Sequence, residues 1–419
     1  MRKIIAIIFV SSLFASCFKD TCKSIRTLYY PVFKTLTEVR TDMKSLAPTS
    51  LENTGKIYIY GHYIFLNEIS KGIHIIDNRD PSNPKNLSFI NIPGNEDLAV
   101  KGNYLYADSY SDLVVFDISN PENVKAIKFM NNVFPDRNYY YYYSLTQNPD
   151  SVLIPVDWIA KDTLIKCDTY NGIYSDYAST PQSSSGGGIV YLASNPGAAK
   201  DNGGAGGSMA RFAILNDYLY TVSYSSLRSF NISNAANPEL RNVDTIASWM
   251  IETIYPFAGK LFIGSQNGMY IYDATNAENP QQLGFATHVR TCDPVIADEN
   301  YAYVTLRSGN TCAGFTNQLE IFDLEDLMNP SILQTYEMTN PRGLSKDGNV
   351  LFICDENILK VYDAADIKSL QTIDQINISE TFDVIAFNNI ALVVAKDGLY
   401  QYDYSDMDNI HLLSKISIQ

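Results

Sequence analysis

Arg211, Arg290 and Arg342 each fall at or just before the start of a short β-branched run, and Glu96, Asp97, Asp136, Arg137, Glu252, Asp293 and Asp383 hold comparable places. Brought together, guanidinium and carboxylate groups of this kind would bind an anionic or sugar-like ligand through charge-assisted hydrogen bonds. The alternative is a solvated rim that neutralises itself in ion pairs. His288, in "THVRTCDP", is the histidine that shares this placement. A histidine without a matched partner is usually structural. An enzyme needs a nucleophile–base pair or a metal cluster. The chain has four histidines and no CxxC or Cys/His zinc spacing, so no catalytic or metal-binding residue is assigned. A calcium ion held by carboxylates in a central channel is compatible with this set, but no spacing dictates it.

The bulk composition narrows the partners. The chain has 419 residues, 46% hydrophobic and 18% charged, with a formal net charge of −15. That balance is globular, and its sign repels phosphate backbones, so nucleic acid is not an expected partner. Arg2 and Lys3 precede an apolar run from Ile4 to Phe14, too short to cross a membrane in the mature protein. "LFASC" follows, ending at Cys17. Ala15, Ser16 and Cys17 resemble the lipobox of bacterial lipoproteins, with Phe14 where leucine is usual. The resemblance implies cleavage after residue 16, lipidation of Cys17 and a cell-envelope address, read here as the outer membrane with the leaflet open. In such an oxidising compartment Cys292 and Cys312 are a candidate disulfide. The loop of about 20 residues that it would close is worth about 3 kcal/mol in the chain-entropy account. Cys354 lies inside an apolar run and reads as a buried thiol, while Cys22 and Cys167 are a further pair left open.

The elements that must position these residues repeat. Aligned on Asp117 of "SDLVVFDISNPENV", the same frame recurs at Asp77, Asn231, Asp273, Asp323, Asp363 and Asp403. Four places earlier stands an aliphatic residue or Met, and one place earlier an aromatic residue except at Ile76. Three places later stands Asp or Asn in every copy. The intervals are 40, 114, 42, 50, 40 and 40 residues. A period near 40 with short β-branched and aromatic runs between Gly, Asn, Asp and Pro gives four strands per unit, not helical repeats. The third strand is apolar on both faces in most copies, so each sheet must be covered on both sides, as blades cover one another in a propeller. The frame aspartate suits an Asx turn, and the Asx three later suits the N-cap of a one-turn helix, with Pro81 and Pro121 at its first position.

Units such as "GNYLYADSYSDLVVFDISNPENV" resemble the LVIVD repeat of bacterial envelope proteins. The expected fold is all-β: a seven-bladed β-propeller of four-stranded antiparallel blades over residues 55–419. The alternative is eight blades, with "LIKCDTYN" (164–171) as a degenerate copy inside an insertion at about 132–208. Residues 17–54 read as a tether. In it "TLTEVRTDMKSL" has helical spacing and a Thr35/Glu38 capping box, and "TLYYPVF" is extended. The insertion carries "YYYYY" (Tyr139–Tyr143), an apparent hairpin over "SVLIPVDWIAKDTLIKCDTY", and Ser/Gly-rich stretches including "GGAGGS", read as a flexible loop.

Strand direction sorts the loops. In an antiparallel blade the connections between strands two and three share a face with the blade-to-blade linkers, while the Asx turns lie on the other face. The insertion, the long loop "RSGNTCAGFTN" and every candidate residue above fall on the first, irregular face. Function tends to sit on irregular loops held by a rigid scaffold. The expectation is a lipid-anchored envelope scaffold binding a protein or glycan through that face. Two alternatives stand beside it: an envelope hydrolase or lactonase-like propeller with a carboxylate-held cation, and a structural assembly component.

Overall fold

The computed structural model describes residues 23–137, 153–166, 205–247, 250–288, 294–308 and 316–418. It resolves two compact units.

The larger unit is a seven-bladed β-propeller. The blades span 54–91, 98–130, 212–245, 251–287, 295–337, 341–377 and 381–417, numbered I to VII in chain order, and each is four antiparallel strands in sequence order. Eight blades are therefore overturned: residues 153–166, where the extra copy would begin, form one long strand that joins none of the blade sheets. Every blade is built from consecutive sequence. The ring closes between blades VII and I through a parallel bridge of Leu51 and Ile418 and the reciprocal amide pair of Asn78 and Gln401 at 2.9 and 2.7 Å.

The repeated frame is a repeated turn. In all seven blades the frame Asp or Asn accepts the backbone N–H two residues on, at 2.7–3.1 Å. Asp80, Asn120, Asp326, Asp366 and Asp406 repeat the bond one turn later, at 2.9–3.1 Å. The expected one-turn helix is absent there. The second Asx residue instead closes a β-turn to the residue three on, as in Asn123 N–H to Asn120 C=O at 2.9 Å. Two Asx turns in tandem already satisfy the donors that a helix would have satisfied. A β-bulge also recurs in all seven blades, beside the residue that precedes the frame position, which is aromatic in six blades and Ile76 in blade I. The bulge twists each outer strand off its neighbour.

Blades lock through the same turns. Tyr106 Oη donates to Ala235 C=O at 2.9 Å, Tyr220 Oη to Ala277 C=O at 2.8 Å, Tyr336 Oη to Ile367 C=O at 2.7 Å, and Ser414 Oγ to Pro81 C=O at 2.6 Å. In each case the hydroxyl belongs to one blade and the carbonyl to the next blade's turn. At Gly284 the approach is closer still: a Cβ there would sit 1.9 Å from Leu327 C=O.

Ahead of blade I the helix Leu36–Thr41 carries the predicted capping box, with Glu38 N–H bonded to Thr35 Oγ1 and Thr35 N–H to the Glu38 carboxylate. It is shorter than its hydrophobic spacing implied, because Ser45–Leu46 leaves to pair with the outermost strand of blade I. Val39 and Met43 are buried, and Arg40 reaches Asp112 at 2.5 Å.

The smaller unit is a ribbon in which Lys23–Thr35 and Leu153–Lys166 pair with each other. The hairpin expected over 151–170 is thus one strand whose partner is far away in sequence.

Candidate functional site

The innermost strands run from the irregular face to the Asx-turn face and surround the propeller axis. Residues 205–210 occupy that axis. Ala205 and Gly206 pair antiparallel with Ile59 and Tyr58 of blade I. Ser208 Oγ accepts Leu344 N–H of blade VI at 3.3 Å, and Ala210 C=O accepts Ile254 N–H of blade IV at 2.8 Å. Ser208 is 0% and Met209 2% exposed. A segment touching the inner strands of blades I, IV and VI can lie nowhere but in the centre. Small residues are required: a Cβ on Gly206 would meet the Tyr58 ring at 3.0 Å. "GGAGGS" therefore ends in a packed plug rather than a flexible loop. Because it runs antiparallel to the blade I strand, the chain climbs from the turn face to the mouth. The insertion leaves on the irregular face, as expected, but its described return comes from the opposite side.

At the mouth the predicted residues form two groups. In the first, Asp97 is buried, bonded to Lys56 Nζ, and accepts Arg211 N–H at 2.7 Å. Glu96 faces Arg211 at 3.2 Å and Arg137 at 3.9 Å. Arg137 also bonds the buried Asp108, whose other oxygen accepts Glu96 N–H at 2.7 Å and Asp97 N–H at 2.9 Å. Arg137 stacks 4.5 Å from the Phe134 ring, and Asp136 accepts Ser223 Oγ at 3.0 Å. Crowding by its neighbours would by itself raise Glu96, whose side chain stays 48% exposed, but Arg137, Arg211 and Lys56 together hold it below the usual carboxylate range. Burial pulls the Lys56 ammonium below its ordinary value despite Asp97.

In the second group Arg342 bonds Glu380 at 2.8 Å and lies 4.7 Å from the Phe382 ring, and Lys396 holds the other Glu380 oxygen at 2.8 Å. Arg307 is pushed down to about 10 by burial and by the like charge of Arg342, against the pull of Glu252 and Glu380. Glu252 and Asp383 are buried. Burial first, then Asp383, drives the Cys354 thiol well above its ordinary range, as suits the inert buried thiol expected. His288 gains a neighbour in Glu320, a buried carboxyl raised by burial and opposed by Gln318 and His288. Arg290, Asp293, Cys17, Cys22, Cys167, Cys292 and Cys312 lie outside the described residues, and with them both cysteine pairs and the lipidation site.

Lys56, Asp108, Arg307, Glu320 and Glu380 escaped sequence reasoning. For Lys56 the register holds the missing signal. Asp383, Lys56, Asp97 and Arg211 each stand two residues before the partner of Leu392, Phe65, Tyr106 and Tyr220, so blades VII, I, II and III alternate in sign around the mouth. For Glu320 the signal is the place three before the frame aspartate. That place also holds His74, Arg228, Lys360 and Tyr400, each bonded to a polar group near its own hairpin: Glu68 at 3.2 Å, Ser223 at 2.8 Å, Asp355 at 2.6 Å and Asp397 at 2.8 Å.

Comparison with known proteins agrees with this architecture. The LVIVD repeat family model matches residues 53–91 and 95–127, which are blade I and most of blade II. No curated protein matches the chain. Among solved structures, a protein from Lactobacillus plantarum is similar with a TM-score of 0.56 and 12% identity, over 87% of this chain and 97% of that one. The periplasmic gluconolactonase PpgL of Pseudomonas aeruginosa is similar with a TM-score of 0.52 and 13% identity, over 87% and 96%. The computationally designed protein Ika8 is similar with a TM-score of 0.51 and 9% identity, over 89% and 90%. At these identities the likeness is one of fold. The chain is a seven-bladed β-propeller that carries LVIVD repeats.

Proposed function

We propose that the protein is a lipid-anchored envelope scaffold that binds a protein or glycan across the mouth of its irregular face. The observation that carries this reading is the plug. Residues 205–210 fill the axial space that a small substrate of a propeller enzyme would enter, while the surrounding rim concentrates charged side chains such as Glu96, Arg211, Glu380 and Lys396. A rim of that kind suits a broad polar contact more than an enclosed pocket. The anchor would be Cys17.

The test is chemical crosslinking in intact envelopes followed by purification. A partner captured by the wild type and lost in Glu96→Lys with Arg211→Glu supports the reading. Equal capture by both removes the mouth from it.

A hydrolase with a carboxylate-held cation is the competing reading, supported by the likeness in fold to a gluconolactonase. Among the described residues no three His, Cys, Asp or Glu side chains are grouped to hold such an ion, and the mouth carboxylates Glu96, Asp97 and Asp108 already face Arg137, Arg211 and Lys56. Metal analysis of the purified protein with a lactonase and esterase panel separates the two readings. A stoichiometric divalent ion with turnover would replace the scaffold by the enzyme.

A further inference from the structure

The ribbon is an unusual object for a protein of this charge. A two-stranded ribbon is marginal in water by itself. This one leaves large apolar side chains in solvent: Ile25 is 72%, Ile159 58% and Leu164 58% exposed, with Tyr30 and Phe33 also exposed. The Thr27 hydroxyl donates to Asp162 at 2.7 Å, which sets those two side chains on one face. With the two-residue period of strands, Ile25, Tyr29 and Phe33 share that face with Trp158 and Leu164. Tyr30 and Ile159 stand on the other.

The occupant can be argued from composition and from chain length. Trp and Tyr beside aliphatic side chains are the residues that settle at the boundary between acyl chains and headgroups. Across 23–33 and 155–166 the sequence has four Lys or Arg and two Asp, in a chain of net charge −15, so the ribbon is spared the acidity of the remainder. Five residues separate Cys17 from Lys23. Fully extended, that stretch reaches about 20 Å, at most 3.3–3.6 Å per residue. An acyl chain on Cys17 would therefore hold the start of the ribbon at the bilayer surface.

We propose that the ribbon is a membrane-contact element, lying in the lipid interface through the face that carries Ile25, Tyr29, Phe33, Trp158 and Leu164. It adds a second, weaker attachment to the acyl anchor. The proposal rests on the anchoring reading for where the ribbon is held, not for whether it binds lipid. Two attachments together give stable association where one chain alone is marginal.

The test uses the full-length protein in vesicles of phosphatidylcholine and phosphatidylglycerol whose acyl chains carry bromine. A Trp249→Phe background leaves Trp158 as the reporter. The expected result is a blue-shifted Trp158 emission that loses most of its intensity to bromine quenching. Ile25→Ser with Leu164→Ser, both on the face of Trp158, should abolish the quenching while the protein still floats with the vesicles. Trp158 unquenched in protein that floats would overturn the proposal. So would a Trp158 shielded without vesicles in step with a concentration-dependent dimer, which would assign the ribbon to a second copy of the chain. Flotation of Cys17→Ser reads the anchor separately. Loss of flotation with Trp158 quenching restored at high vesicle concentration supports the ribbon, and retained flotation with quenching supports it without the anchor.

Discussion

The two faces of the propeller are built on opposite principles. On the turn face one local solution is copied seven times: an Asx oxygen caps the N–H two residues on, and at the four junctions named above a hydroxyl of the preceding blade caps the turn carbonyl. On the mouth face the bonds join residues far apart in the chain, such as Lys56 with Asp97, Arg211 with Glu96 and Arg342 with Glu380. The inner strands of blades I, IV, VI and VII are bulged at that end. Uniformity is kept where every blade must meet its neighbour at the same angle. Variation gathers where the loops leave, and there each charge depends on one particular partner.

The contrast can be broken at its strongest point first. Arg137→Ala strands the buried Asp108 without its cation, and the loss of a buried pair's partner costs about 3–5 kcal/mol. The urea midpoint should fall accordingly, and Asp108→Asn added to it should recover part of the loss. A change within ordinary surface scatter would show that the pair is not structurally coupled. Gly206→Leu overfills the axis against Tyr58 and should cost about 1–3 kcal/mol. Asp117→Ala removes one of seven turn caps and should cost about 1 kcal/mol. Asp117→Asn should stay within about 0.5 kcal/mol, because Asn231 already does the same work in blade III. The smallest effect is a pH dependence. The Arg79 side chain and backbone hold Asp77 down to about 2. A carboxylate depressed on folding stabilises above its unfolded value near 4 and loses that contribution as pH falls through its folded value. Arg79→Ala should therefore lower stability at neutral pH and match the wild type below about pH 2, as acid titration of unfolding would show.

What the sequence made legible divides along the same line. The turn face could be read almost completely, since its hydrogen bonds span two or three residues and its Asx positions recur. So could the Thr35–Glu38 capping box, which is equally local. The irregular face could be located from strand direction, but its pairings could not, since Arg137 finds Asp108 only when two elements fold together. The plug was misread because glycine serves both flexibility and close approach, and composition does not distinguish them. The ribbon was misread as a hairpin because its second strand pairs with residues more than a hundred places earlier.

One feature of the ring bears on how it could be re-cut. No blade borrows a strand from another, and Leu51 lies beside Ile418. The order in which the chain visits the blades is thus separable from the disc they make. A permuted propeller, with Ile418 joined to Leu51 by a short linker and new ends opened at residues 338–340, should still yield a closed wheel, because every sector it encodes remains whole.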